Sequence, residues 1–172
     1  GEAVDVFFLP SGSGHFEAAV ERGIRLEGSG HGIRLRSEAV PSSAAVLDFQ
    51  RAALERIEAD RAYLPSLVLV MPADSVALRE PLRRLARRGA VILTLDGYMG
   101  TGEYDPQGED GYLTAHVGTD NVTAARRALS LAAAAAKHQG TVYVHTNSPD
   151  CRAAESRLYG FFGVVAEHPA MR

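Results

Sequence analysis

Short apolar runs alternate with segments of helical periodicity along nearly the whole 172-residue chain. Residues 66–71, SLVLVM, are apolar after the first position, which is typical of a strand that helices cover on both faces. Residues 44–59 instead bring Val46, Ala53 and Ile57 to one helical face. Parallel strands need crossover connections of this kind, and the crossovers place helices against the sheet. The alternation therefore predicts an α/β fold with three layers, α-β-α, and a mainly parallel sheet.

The same patterns predict six strands and five helices. The strands are expected at residues 4–9, 33–36, 66–71, 91–95, 115–117 and 141–145. The helices are expected at residues 15–27, 44–59, about 74–88 and 121–139, and in a last segment with the apolar stripe Leu158, Phe161, Phe162 and Val165. Ser42 or Ser43 is expected to cap the second helix. Residues 97–112 are rich in glycine and acids and predict an irregular surface loop.

Charge and composition argue against several classes of function. A net charge of -3 provides no clustered positive field for nucleic acid or anionic lipid. The single cysteine, Cys151, excludes an intramolecular disulfide. The six histidines have no zinc-type spacing, so neither a metal nor a cofactor is expected. The chain opens at Gly1 without a signal sequence or a long apolar run, as in a processed or trimmed protein.

Two enzymatic interpretations are weak. Gly12 and Gly14 follow a strand and open a helix, as in a dinucleotide-binding turn, but the third glycine of that motif is replaced by Glu17. A carboxylate there would repel pyrophosphate. Cys151 lies near a predicted helix start but has no recognisable partner base, so a packed thiol is the simpler interpretation. No catalytic residue is expected.

Ligands of open parallel sheets bind at the loops that follow the strands, which makes these loops the expected site. There Phe16 offers an apolar ring face, Asp96 offers two acceptor oxygens, and Arg157 on the last helix offers a planar donor group. Each has a structural alternative: a core anchor for Phe16, a turn former for Asp96 and an exposed helix residue for Arg157. The remaining candidate ligand-binding residues in these loops are Ser11, His15, Tyr98 and Asn147.

Several short elements follow one another along the chain: Phe16, Gly23, Gln50, MPAD at 71–74, Leu78, RRGAVILTLD at 87–96, VGTDN at 117–121, and ESRLYGFFGVV at 155–165 followed by His168 and Pro169. In this order they resemble the periplasmic binding proteins of type I, in their ribose and galactose branch. The resemblance implies that Asp96 binds sugar hydroxyls, that Phe16 stacks on the sugar and that Arg157 binds it from the second lobe. It also implies that Thr119, Asp120 and Asn121 form the hinge. Ribose-type members carry arginine where this chain has Gly97, which argues against ribose as the ligand.

The resemblance implies the solute-binding component of an ABC transporter, with a sugar or related polyol as ligand and a permease as partner. The alternative is the ligand-sensing domain of a LacI-type transcriptional regulator or of a histidine-kinase sensor. Residues 1–118 are expected to form the N-terminal lobe, and residues 119–172 the hinge crossover and an incomplete second lobe. We expect a truncated chain, association of copies through that incomplete lobe, and a periplasmic or lipid-anchored extracellular parent protein.

Overall fold

The computed structural model describes residues 3–41, 45–99, 111–145 and 152–172. Within these ranges the chain forms five strands: β1 (Val4–Leu9), β2 (Ile33–Ser37), β3 (Leu67–Val70), β4 (Val91–Leu95) and β5 (Ala115–Val117). They make one sheet in the order β2-β1-β3-β4-β5, and every neighbouring pair is parallel. The predicted α/β class is therefore confirmed.

Five helices lie within the same ranges: α1 (His15–Ser29), α2 (Val46–Ala59), α3 (Arg79–Arg87), α4 (Asn121–Ala135) and α5 (Arg152–Glu167). The residues pack into two compact units, Gly1–Gly118 (unit 1) and Thr119–Arg172 (unit 2). Unit 1 contains the sheet and the first three helices. Unit 2 contains the last two helices, which pack against each other.

Successive side chains of each strand of unit 1 point to opposite faces of the sheet. On one face, Leu9, Val70 and Ile92 pack with the buried residues of α2 and α3, such as Leu54 and Leu82. The opposite face, with Val6, Phe8, Leu69 and Met71, packs against Val20 and Ile24 of α1. The sheet thus lies between two helical layers, because its central strands are apolar on both faces.

The sixth strand, expected at residues 141–145, is not formed. Only an isolated bridge between Gly140 and Met171 is present there, and the amide of Val142 donates to the carbonyl of Arg172 at 2.7 Å. Apolar alternation alone does not make a strand, because a ladder also requires a neighbouring strand of comparable length. Within the part of unit 2 that the structure describes, only the chain end supplies such backbone partners.

Helix boundaries differ from the predictions by more than two residues at two places. α4 ends at Ala135 instead of residue 139, because Lys137 and His138 adopt positive φ angles of 54° and 56°. α3 begins at Arg79, after a turn in which the carboxylate of Asp74 accepts hydrogen bonds from the amides of Val76 and Ala77, both at 2.8 Å. Ser42 and Ser43 lie outside the described residues.

Candidate functional site at the carboxyl edge of the sheet

The loops that follow β1, β3 and β4 meet at one edge of the sheet, because all strands run in the same direction. The fully buried Gln50 of α2 connects two of these loops. Its amide nitrogen donates to the carbonyls of Pro10 at 2.8 Å and Met71 at 2.7 Å, and its oxygen accepts from the amide of Ala73 at 2.9 Å. A buried amide satisfied by three backbone groups fixes both loops in one position.

The first loop presents an exposed ring. Phe16, the second residue of α1, is 56% exposed, so it does not serve as a core anchor. The hydroxyl of Ser11 donates to Glu17 at 3.1 Å, and added Cβ atoms at Gly12 and Gly14 would lie 3.1 and 2.9 Å from the Glu17 carboxylate oxygens. The turn is thus occupied by the chain's own carboxylate, a geometry unsuited to pyrophosphate.

Asp96 occupies a tight turn directly after β4. Its φ is 59°, and the amide of Gly97 donates to the carbonyl of Leu95 at 2.6 Å, which closes a γ-turn around it. The amide of Asp96 also donates to the carbonyl of Val117 at 2.8 Å. Positive φ at a non-glycine residue costs about 1–3 kcal/mol and is concentrated at functional sites. The backbone thus holds the exposed Asp96 in a fixed place at this edge.

His116 of β5 lies beside this turn. It is paired in register with the fully buried Thr94 of β4, and its Nδ1 lies 2.8 Å from the Thr94 hydroxyl. The Tyr98 ring meets the imidazole edge-on, with centroids 5.2 Å apart and planes at 88°. Burial lowers the pKa of His116 from its usual value, and the nearby Asp96 charge offsets part of the decrease.

The structure therefore brings several predicted ligand residues to one edge. Phe16 follows β1 and Asp96 follows β4, and only β3 lies between those strands, which corresponds to a separation of about 10 Å between the strand axes. Ser11 and the exposed His15 belong to the loop after β1, and Tyr98 to the loop after β4. Their contacts with a ligand remain predictions.

The predicted residues of unit 2 form contacts among themselves. The Nε of Arg157 donates to the Oδ1 of Asn121 at 2.8 Å, and the Nδ2 of Asn121 donates to the carbonyl of Thr119 at 3.1 Å. Asp120 caps α4 by accepting a hydrogen bond from the amide of Thr123 at 3.0 Å, which lowers the pKa of its carboxyl. Asn147 and Cys151 lie outside the described residues.

The sequence analysis named Gln50 and Glu17 without predicting their contacts, and it gave His116 no role in the site. A glutamine on the apolar face of α2 was the available signal for the first, since buried polar side chains normally have specific partners. The contacts of Glu17 and His116 depend on loop conformation and strand register, for which the sequence carries no comparable signal. No cluster of three metal-ligating side chains occurs in the described ranges. None of their helices is long and apolar enough to cross a bilayer.

Comparison with known proteins gives a family and a fold. The family model of the periplasmic binding protein domain matches residues 6–172. Among curated proteins no match was found.

Among solved structures, similarity extends to an ABC transporter solute-binding protein from Agrobacterium vitis bound with α-D-tagatopyranose (TM-score 0.82, 24% identity, 98% of this chain and 56% of that one). A second similar structure is a myo-inositol-binding protein from Caulobacter, with a TM-score of 0.79 and 22% identity, covering 100% of this chain and 54% of that one. A third is the fructose-binding periplasmic domain of a hybrid two-component system, with a TM-score of 0.81 and 13% identity, covering 98% of this chain and 52% of that one. The chain thus spans little more than half the length of these proteins.

Proposed function

The chain belongs to the periplasmic binding protein domain family, and from this premise we propose that it binds a sugar or related polyol for an ABC transporter. Residues 1–118 would form the ligand-binding lobe, and residues 119–172 the hinge crossover and the opening part of a second lobe. The role is binding and not catalysis. The proposal includes a permease as partner and a periplasmic or extracellular location for the intact protein.

One observation carries the proposal: an exposed aromatic ring and a carboxylate on a fixed backbone turn lie at the same edge of the sheet. The ring of Phe16 offers an apolar surface to the C–H face of a sugar. The Asp96 carboxylate offers acceptors for two neighbouring hydroxyls. A polyol requires both kinds of contact, whereas a purely apolar ligand would leave the carboxylate unpaired.

We propose that ligand binding stabilises a closed state of the intact protein by hinge motion at Thr119, Asp120 and Asn121. Arg157 is the proposed donor to the ligand from unit 2. Because its guanidinium now donates to Asn121, ligand binding would have to exchange or share this hydrogen bond. The exchange would couple ligand contact to the hinge.

Unit 1 alone supplies only part of the binding energy. A charge-assisted hydrogen bond to Asp96 contributes about 1.5–3 kcal/mol, whereas micromolar affinity corresponds to about 8 kcal/mol. The 172-residue chain should therefore bind polyols weakly, near millimolar dissociation constants. Tight polyol binding by this chain, measured by calorimetry, would contradict the proposal that unit 1 supplies only part of the binding site.

The test is an NMR titration of the chain with D-tagatose, D-fructose and myo-inositol, which the similar structures suggest as probes. Amide signals of residues 11–17 and 96–98 should shift together. Asp96→Ala should abolish the shifts, because the acceptor is lost, and Asp120→Ala should retain them, because that carboxylate caps α4. Equal losses in both variants, or shifts confined to other residues, would contradict the proposed site.

A sensory role is the second candidate, favoured by the similarity to the periplasmic domain of a two-component system. The ligand chemistry would be the same, and only the protein that reads the closed state would differ. The intact protein should stimulate a permease ATPase in the presence of ligand if it serves transport. Ligand-dependent kinase activity or DNA release would instead support the sensory role.

A further inference from the structure

His116 is the titratable side chain most closely connected to the Asp96 turn. Its partner Thr94 is fully buried, so the imidazole is anchored to the core through its Nδ1. On the other side of the ring, an added Cβ at Gly118 would lie only 2.5 Å from the His116 Nε2 and 3.3 Å from the Asp96 carbonyl oxygen. The ring therefore fills the space between Thr94, Gly118 and the turn.

The same ring contacts Tyr98, two residues beyond Asp96. The Asp96 amide is bonded to the carbonyl of Val117, the residue that follows His116. A displacement of the imidazole would thus be transmitted to both sides of the turn, through the Tyr98 contact and through the β5 backbone.

We infer that His116 is a positioning residue of the polyol site: its neutral imidazole holds the Asp96 turn and Tyr98, and protonation releases them, which weakens ligand binding. The inference rests on the proposed function for its ligand. Its structural part, the coupling between the ring and the turn, is independent of any ligand. His116 itself need not touch the polyol.

The sign of the pH dependence follows from the surroundings of the ring. The groups that face it among the described residues are the Asp96 carboxylate and the Tyr98 phenol, and burial outweighs the attraction of Asp96, so the pKa of His116 is lowered. The folded chain then binds fewer protons than the unfolded chain. The contribution of His116 to folding stability is therefore fully present above the ordinary histidine pKa of 6.5, and it is lost as the pH falls below that value. A ligand that covers the ring would remove more water and enhance the effect.

The first experiment follows the imidazole and amide signals of the ligand-free chain by NMR between pH 5 and 7.5, because the lowered pKa of His116 places its titration below 6.5. The Asp96, Tyr98 and Gly118 amides should titrate with the same midpoint as the His116 ring. In His116→Asn, the asparagine side chain can still form a hydrogen bond with Thr94. The chemical shifts of the Asp96, Tyr98 and Gly118 backbone amides should then not change across the pH range. The matched control is His31→Asn, at an exposed histidine of unit 1, which should leave the titration intact. Unchanged titration in His116→Asn, or a titrating ring with stationary amides, would overturn the inference.

The second experiment repeats the titration with D-tagatose, D-fructose and myo-inositol at pH 7.5 and pH 5.5. The dissociation constant should increase at the lower pH by about fivefold, the lower end of typical coupling between linked equilibria. His116→Asn should bind with nearly the same affinity at both pH values, whereas His116→Phe and Thr94→Val should bind more weakly at both. An equal pH effect in wild type and His116→Asn would overturn the regulatory role. If none of the probes binds, the proposed function fails, while the ligand-free titration still decides the coupling.

Discussion

The two units of the chain differ in how completely they bury their apolar residues. In unit 1 the central strands are covered on both faces, and Phe8, Leu82 and Ile92 are fully buried. In unit 2 Tyr143 is 89% exposed, and α4 and α5 border a groove of about 350 Å³ lined mostly by apolar side chains. A strand that pairs on both sides completes its own core. A helix pair beside a segment that forms only an isolated bridge does not, so we expect unit 2 to be the less stable part.

The largest expected effect distinguishes a buried leucine of unit 1 from an exposed one of unit 2. Leu82→Ala should lower the free energy of unfolding of unit 1 by about 2–5 kcal/mol, because it leaves a cavity in the core between the sheet and α3. Leu131→Ala, at a side chain that is 69% exposed, should change stability by less than about 0.5 kcal/mol. Urea denaturation followed by residue-resolved amide exchange measures both. A comparable loss in Leu131→Ala would mean that this side chain is buried in solution.

A smaller effect is expected at the connection between the loops of unit 1. Gln50→Leu keeps the volume of the side chain but leaves the carbonyls of Pro10 and Met71 and the amide of Ala73 without this partner. We expect a loss of about 2–3 kcal/mol, since unsatisfied buried groups cost about 1–3 kcal/mol each and water can enter near a loop. Amide exchange should accelerate in both loops together. Acceleration in one loop alone would contradict the connecting role.

The smallest effects compare two helical glycines. Gly160→Ala should destabilise unit 2 by about 1–3 kcal/mol, because the added Cβ would lie 2.5 Å from the Val122 carbonyl oxygen and 3.0 Å from the Ala125 Cβ. Gly23→Ala in α1 meets nothing within 4 Å and should stabilise unit 1 by about 0.5–1 kcal/mol. Thermal unfolding of the two variants shows whether each substitution raises or lowers the stability. A stabilised Gly160→Ala would show that α4 and α5 can move apart without cost.

The comparison also explains what sequence reasoning could predict. The strands of unit 1 were predictable because runs such as residues 66–71 combine apolar residues with clear ends, and each finds a parallel neighbour. The segment 141–145 has a similar pattern but no such neighbour among the described residues, so the pattern alone was misleading. The positions of Asp96 and Phe16 after strands placed both residues at one edge of the sheet, and their roles toward a ligand stay predictions. The contacts of His116 were not predictable, because they depend on the register between β4 and β5.

Gly97 has a consequence for how related sequences vary. A side chain there would begin 3.1 Å from the Cγ, Cδ and carbonyl oxygen of Pro72, so the loops after β3 and β4 touch with no space between them. A larger residue at position 97 therefore requires the ring and the carbonyl of Pro72 to shift by a few tenths of an ångström. Such a shift would move the loop after β3 together with the loop after β4. Specificity at this part of the rim would then change through both loops at once.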